Sequence, residues 1–189
     1  RAKIIDGTRI APGDVVIGLG SASPHTNGYS LIRHVLQDCE FDQFDEDLGA
    51  VPLDLLLRPH RSYFNAVQSM LDAGVDIRGM VHITGGGFIE NPPRILGDDV
   101  AMHIDRDAWS VPRLYRWLQE KGGIPESEMY RVFNMGIGLL VIVPAEHAER
   151  ARIAGLDAVP QGEEWAIQTV GDIRERDDSS VLFSPEFES

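Results

Sequence analysis

The chain has one cysteine, Cys39, among 189 residues. That excludes an internal disulfide and every CxxC metal or redox pattern. Cys39 stands beside Asp38 and Glu40 at a predicted helix end, a setting that does not activate a thiol, and it is read as a bystander. Positive charge is scarce as well: 17 Lys and Arg face 30 Asp and Glu, for a formal net charge of −13. A broad nucleic-acid footprint needs clustered basic residues, so nucleic acid is excluded as a partner. A small phosphorylated ligand needs only a few local donors, and Arg33, Arg58, Arg61 and Arg94 lie near the loops that matter below. No apolar run approaches the ~18 residues of a membrane span. The start, Arg1-Ala2-Lys3-Ile4-Ile5-Asp6, has no apolar signal-peptide core, so a cytoplasmic protein without membrane contact is the default expectation. Internal repeats and low-complexity linkers are absent. His34, His103 and His147 share no H-E-x-x-H-like spacing, so no metal site is expected.

What remains is an ordinary globular composition, 43% hydrophobic and 25% charged, long enough for one domain with a sizeable core. The chain begins without Met, like a piece of something longer, and residues 1–14 read as an extended lead-in with turns at Asp6-Gly7 and Pro12-Gly13. Strands are predicted at 15–19, 79–84, 100–104, 138–143, 165–170 and 181–183. Helices are predicted from about Gly28, with Asn27 as cap; at 62–73, with Phe64, Val67, Met70 and Leu71 as the buried stripe; at 91–96; after Ser110 as cap; from Pro125; and at 145–153. Residues 38–54 read as a solvated acidic connection. Asp177-Asp178-Ser179-Ser180 reads as a hairpin turn joining the last two strands. The interleaving leaves α/β and α+β open, and the hairpin favours a mixed sheet. Trp109, Trp117 and Trp165 read as packing residues.

Two loops carry the chemistry. Gly20-Ser21-Ala22-Ser23-Pro24-His25-Thr26-Asn27-Gly28 runs from a strand into a helix, where free backbone N–H groups and the helix dipole suit an anion. Ser21, Thr26 and Asn27 can donate to a phosphate or cap the helix. His25 titrates near neutrality and can donate to a phosphate or move a proton; a loop histidine bonded to backbone is the plain alternative. Gly85-Gly86-Gly87 can close its amides on an anion or form a tight strand-to-helix turn. Arg94 can clamp a phosphate or sit in a surface ion pair. Asn134 and Gly136 precede an apolar strand in a turn that lets two backbones approach.

Together the motifs resemble the phosphoribosylformylglycinamidine cyclo-ligase, or aminoimidazole ribonucleotide (AIR) synthetase, family. They are Gly13-Asp14-Val15-Val16-Ile17-Gly18-Leu19 with Ser21 and His25-Thr26-Asn27-Gly28-Tyr29-Ser30-Leu31; Leu55-Leu56, Pro59, Arg61 and Tyr63; His82-Ile83-Thr84-Gly85-Gly86-Gly87 with Glu90-Asn91 and Pro93-Arg94; Phe133-Asn134-Met135-Gly136-Ile137-Gly138; and Ile167 to Gly171. Order and spacing fit across nearly the whole chain, which covers the family's C-terminal half. Ala22, Ser23, His60 and Phe88-Ile89 depart from the pattern; Ser23 stands where Gly is usual, which would shift the loop if φ > 0 were needed there.

The resemblance implies an α+β fold, a mixed β-sheet covered by helices over residues 15–189. It implies a full-length homodimer whose N-terminal domain supplies most of the ATP and Mg²⁺ binding, so this half alone would be inactive. The implied reaction is the ATP-dependent ring closure of formylglycinamidine ribonucleotide in purine biosynthesis. His25 would be catalytic, and Ser21, Thr26, Asn27, Gly28, Gly85, Gly86, Gly87, Arg94 and Asn134 would hold substrate or phosphate, with no metal bound by this half. The alternatives are another ATP-using enzyme of the superfamily (formylglycinamidine ribonucleotide synthetase, selenophosphate synthetase or the hydrogenase-maturation type) and a non-catalytic ligand-binding module.

Overall fold

A computed structural model describes residues 4–37 and 39–187. Arg1 to Lys3 of the lead-in, Asp38 at the head of the acidic connection and the last two residues of the expected domain lie outside them. The described strands are β1 (Val15–Gly20), β2 (Gly79–His82), β3 (Val100–Asp105), β4 (Ile137–Val143), β5 (Ile167–Glu175) and β6 (Val181–Ser184). The helices are α1 (Tyr29–Val35), α2 (Pro52–Leu56), α3 (Phe64–Asp72), α4 (Gly87–Glu90), α5 (Arg113–Gly122), α6 (Glu126–Val132) and α7 (Ala148–Asp157). The strands form one sheet in the order β2-β4-β1-β5-β3-β6.

All of β4 is buried, as its unbroken apolar sequence requires of a strand covered on both faces. Alternation then divides it between two cores. Leu140 and Ile142 pack with Ile32, Leu118 and Tyr130 under α1, α5 and α6. Leu139, Val141 and Val143 pack with Ala66, Met70, Ala151 and Ala154 under α3 and α7. The mixed, helix-covered α+β sheet expected from the sequence is the one observed.

Its mixed character has a different origin from the one expected. Residues 177–180 do not close a hairpin: β6 pairs parallel with β3, whereas β5 lies between β1 and β3 and is antiparallel to both. Both edges of β5 are thus taken, and the free edge of β3 receives β6. The stripe of α3 is also rotated. Phe64 is 70% and Leu71 41% exposed, while Ala66 and Met70 are buried against α7. Small residues there, Ala151 and Gly155, admit close helix packing, and a Cβ on Gly155 would crowd the Met70 methyl.

Several helix starts shift. Gly28, at φ 74°, precedes α1 in place of Asn27, and Pro112, not Ser110, precedes α5; neither helix has a side-chain cap. α4 opens at Gly87, ahead of the predicted start, and Pro92–Arg94 form only a 3₁₀ turn. The acidic connection, read as 38–54, runs into α2, whose Pro52 and Leu56 are buried. The lead-in is tied down: Ile10 joins the core, and Arg78 donates to the buried Asp14 carboxylate at 2.6 Å.

Strand direction fixes where the loops go. β1 and β2 are each antiparallel to β4, so they run the same way. The loop after β1, the loop after β2 and the turn before β4 therefore emerge at one end of the sheet. The start of β5 joins them, since Gly20 N–H donates to the Ala166 carbonyl at 2.7 Å.

Candidate functional site

At that end the two small-residue loops meet. His25 Nδ1 lies 3.2 Å from the Ile83 carbonyl, linking the segment after β1 to the one after β2. The Asn27 side-chain oxygen lies 3.4 Å from where a Cβ on Gly85 would stand. Among the described residues, the N–H groups of Gly28, Gly85 and Gly86 donate to no protein acceptor. Gly87 N–H is used internally, donating to the Thr84 carbonyl at 2.9 Å. Gly87 is glycine for a steric reason: φ is 54°, and a Cβ there would run into the Tyr130 carbonyl. The seven-residue α1 adds little dipole, so the donors at this cleft are loop amides.

The loop after β1 is held by Asn134. Its Oδ1 accepts from Ser21 Oγ at 2.8 Å, Tyr115 Oη at 2.6 Å and Gly136 N–H at 2.9 Å. Its Nδ2 donates to the Ser23 carbonyl at 2.9 Å. At 2% exposure, Asn134 is a buried clamp whose bonding capacity the protein itself uses. The strained residue of this loop is His25, at φ 59°, and Ser23 has no positive φ.

His25 is 5% exposed. Tyr63 Oη lies 3.3 Å from its Nε2 and 3.4 Å from the Gly20 carbonyl. Room for both rings comes from Gly138 on β4, where a Cβ would overlap Tyr63 Oη and the His25 imidazole. Two further imidazoles pack on His25, with ring centroids 3.9 Å away for His60 and 5.1 Å for His82. Burial, then the neighbouring His60 and His82, push the His25 pKa down to about 4. Burial and His60 also lower His82. His25 is thus a neutral imidazole at neutral pH. The sequence-based exclusion of a metal rested on other histidines. Of those, His103 is engaged by Asp172 and Ser184, and His147 accepts from Asp76 N–H.

Beside this cluster lies a cavity of about 280 Å³, lined by Ser21, Ser23, Arg58, Arg61, Arg113 and Tyr115 among others. A neighbouring cavity of about 340 Å³ shares Arg58 and Arg61 and adds His60 and Trp165. Arg61 is pinned by donating to the Gly20 and Glu164 carbonyls, at 3.0 and 2.9 Å, and its guanidinium stands 5.1 Å from the Trp165 ring. Burial lowers the Arg61 pKa, and the nearby Arg58 charge acts in the same direction. Among the described residues, Arg58 and Arg113 have no carboxylate partner. Arg61 faces the Glu163 carboxylate at 3.8 Å, so in a chain of net charge −13 it is Arg58 and Arg113 that leave local positive charge uncompensated at this cavity. The smaller cavity offers no carboxylate, so it does not fit Mg²⁺, which binds through carboxylates and water.

Residues 11–179 match the family described as AIR synthase related protein, C-terminal domain. The chain belongs to this family. It is 48% identical over 177 residues to a phosphoribosylformylglycinamidine cyclo-ligase of Cupriavidus metallidurans, covering 93% of this chain and 49% of that protein. With the enzyme of the same name from Burkholderia cenocepacia it shares 44% identity over 183 residues, 96% of this chain and 51% of that one. The chain spans about half the length of the curated relatives it matches. Among solved structures it resembles hydrogenase maturation protein HypE in complex with ATP, with a TM-score of 0.62 and 23% identity, covering 94% of this chain and 49% of that one. It also resembles T. maritima PurL complexed with AMPPCP, with a TM-score of 0.54 and 12% identity, over 98% of this chain and 26% of that one. Both show the AIR synthase C-terminal type of fold.

Within this AIR synthase domain, the structure brings together Ser21, His25, Asn27, Gly28, Gly85, Gly86 and Asn134. Thr26 sits in the same loop and is exposed. Arg94 is not part of the group: it lines a separate cavity with Asp6, Thr8 and Asp99. The reason is its place at the end of the Pro92–Arg94 turn, where the chain turns back toward the start of β2; Ile95, the next residue, packs on Gly79. Sequence reasoning did not single out Tyr63, His82, Arg113 or Gly138 for the site. His82 and Tyr63 stand in the family motifs, but Arg113, at the start of α5, carries no local signal.

Proposed function

We propose that this chain is the C-terminal half of a phosphoribosylformylglycinamidine cyclo-ligase, and that the Arg58, Arg61 and Arg113 cavity takes the phosphate of its ribonucleotide substrate. The observation that carries this is the pair of arginines without a carboxylate partner, Arg58 and Arg113, in a cavity also lined by Ser21, Ser23 and Tyr115, in a family whose curated relatives bear that enzyme's name. Arginine forks match phosphate geometry and hold it in register. In the proposed reaction, the formyl amide oxygen of formylglycinamidine ribonucleotide takes the terminal phosphoryl group of ATP. The amidine nitrogen then attacks the resulting imidate carbon, phosphate leaves, and the imidazole ring closes. This half contributes binding and orientation, and neutral His25 is placed to accept or return a proton. ATP and Mg²⁺ are assigned mainly to the other half, which also builds the homodimer; the isolated half is inactive and the enzyme cytoplasmic.

The test uses the full-length protein and a substrate panel. Ring closure of formylglycinamidine ribonucleotide is expected. Arg58→Ala with Arg113→Ala should raise KM roughly tenfold or more with little loss of kcat, the pattern of lost ground-state binding. His25→Ala should lower kcat by ~10²-fold or more. Turnover of a different substrate, with none of this one, overturns the reading; so does a KM insensitive to both arginines.

A further inference from the structure

We propose that His25, His60 and His82 form a three-imidazole site for a borderline divalent cation, Zn²⁺ foremost. The three come from different segments, namely the loop after β1, the stretch before α3 and the last residue of β2, and the fold gathers them. One ring nitrogen of each lies within 4.8 Å of the others. His60 Nε2 and His82 Nε2 are 3.1 Å apart. Two nitrogens on one tetrahedral zinc stand about 3.3 Å apart, from Zn–N bonds of ~2.0–2.1 Å. The centroids of His82 and its two neighbours are 5.1 and 5.2 Å apart, close to the spread of imidazoles pointing at a shared ion. His25 and His60 stand closer, at 3.9 Å, and must open slightly. The exposed His60 supplies that freedom.

The surroundings already orient the ligands. His25 Nδ1 faces the Ile83 carbonyl at 3.2 Å and His60 Nδ1 faces the Arg61 carbonyl at 2.6 Å. An Nδ1–H donated to a carbonyl leaves Nε2 as a lone pair and fixes the ring, the usual outer contact of a metal-bound histidine. Tyr63 Oη, now beside His25 Nε2, has the Gly20 carbonyl as a second acceptor at 3.4 Å, so a metal on Nε2 strands no buried hydroxyl. His82 needs only a tautomer change, its proton moving from Nε2 to Nδ1. With three nitrogens bound, a fourth position remains, and the neighbouring Arg58 and Arg61 wall favours an anion or hydroxide in it.

The test of this inference is separate from the cyclo-ligase reading, because it contains no nucleotide; a metal on His25 Nε2 takes the lone pair that the proposed proton transfer uses, so the two roles belong to the metal-bound and metal-free states. The untagged chain, stripped with a chelator, is titrated calorimetrically with Zn²⁺ alone, and with Co²⁺ to read the visible absorption of a low-symmetry nitrogen site. One ion per chain is expected. His60→Ala and His82→Ala change exposed residues; each should weaken binding by roughly tenfold or more, as even outer-contact losses do. His34→Ala and His147→Ala should leave it unchanged, and circular dichroism checks folding of every variant. No saturable binding overturns the proposal, and so does binding that survives either His60→Ala or His82→Ala.

Discussion

Asn134 shows how one side chain can set a loop. Its Oδ1 takes three donors, two from side chains far away in sequence and one from Gly136 N–H. Asn134→Ala would leave the buried Tyr115 hydroxyl without that partner and release Ser21. A loss of roughly 2–4 kcal/mol is expected in urea unfolding, because stranded buried donors cost more than the bond they made. A loss below 1 kcal/mol, on the order of a surface change, would show that the clamp is dispensable. His25 makes a pH prediction. Its folded pKa of about 4 lies below the ordinary 6.5, so between those values the unfolded chain binds the extra proton. Stability is therefore full above the unfolded value and falls as pH drops toward the folded one. From about pH 7 to about pH 5 the contribution is of order 1–2 kcal/mol. His25→Asn, which tolerates the positive φ, should flatten that part of the profile in chelator-treated buffer. Equal slopes in the two proteins would contradict the assignment.

At the scale of the element, β4 does two jobs. Its apolar run divides between two cores, and its second residue, Gly138, leaves the space that Tyr63 and His25 fill. Gly138→Ala should cost about 1–3 kcal/mol by overpacking, seen as a lowered melting temperature, with His25 displaced. Tyr63→Phe in the same chain should recover part of the loss, since the hydroxyl is the atom nearest the added methyl. No recovery would place the strain elsewhere. The elements also show what local sequence could and could not convey. The strand runs at β1, β3 and β4 are plain from apolar continuity. The α3 stripe was not, because periodicity identifies a helix but the small residues of α7 choose which face is buried. The caps of α1 and α5 failed for a related reason: Gly28 and Pro112 turn the chain through backbone geometry, and no polar side chain is needed.

Across the whole molecule, the sheet's strand order builds the site. β1 and β2 run the same way on either side of β4, so the loops after them and the turn before β4 converge. At the far edge, β6 pairs in parallel with β3, and Phe183 and Phe187 pack on Tyr130 with ring centroids 5.8 and 5.4 Å away. Truncation after Arg176 removes these contacts and bares the β3 edge. It should cost roughly 3–5 kcal/mol from lost apolar burial and promote association through the open strand. Unchanged unfolding and a monomeric truncated chain would refute that role.

The linear order of residues by itself determined the family motifs, the strand cores, the absence of cysteine-based chemistry and the glycine-rich turns, because each depends on neighbours a few positions apart. The gathering of His25, His60 and His82, the position of Arg58 and Arg113 at one cavity and of Arg94 at another, and the partner of β6 were decided only by the tertiary structure. Those outcomes depend on which strand edges stay open and which loops share one end of the sheet, and such long-range pairings leave no trace in local spacing.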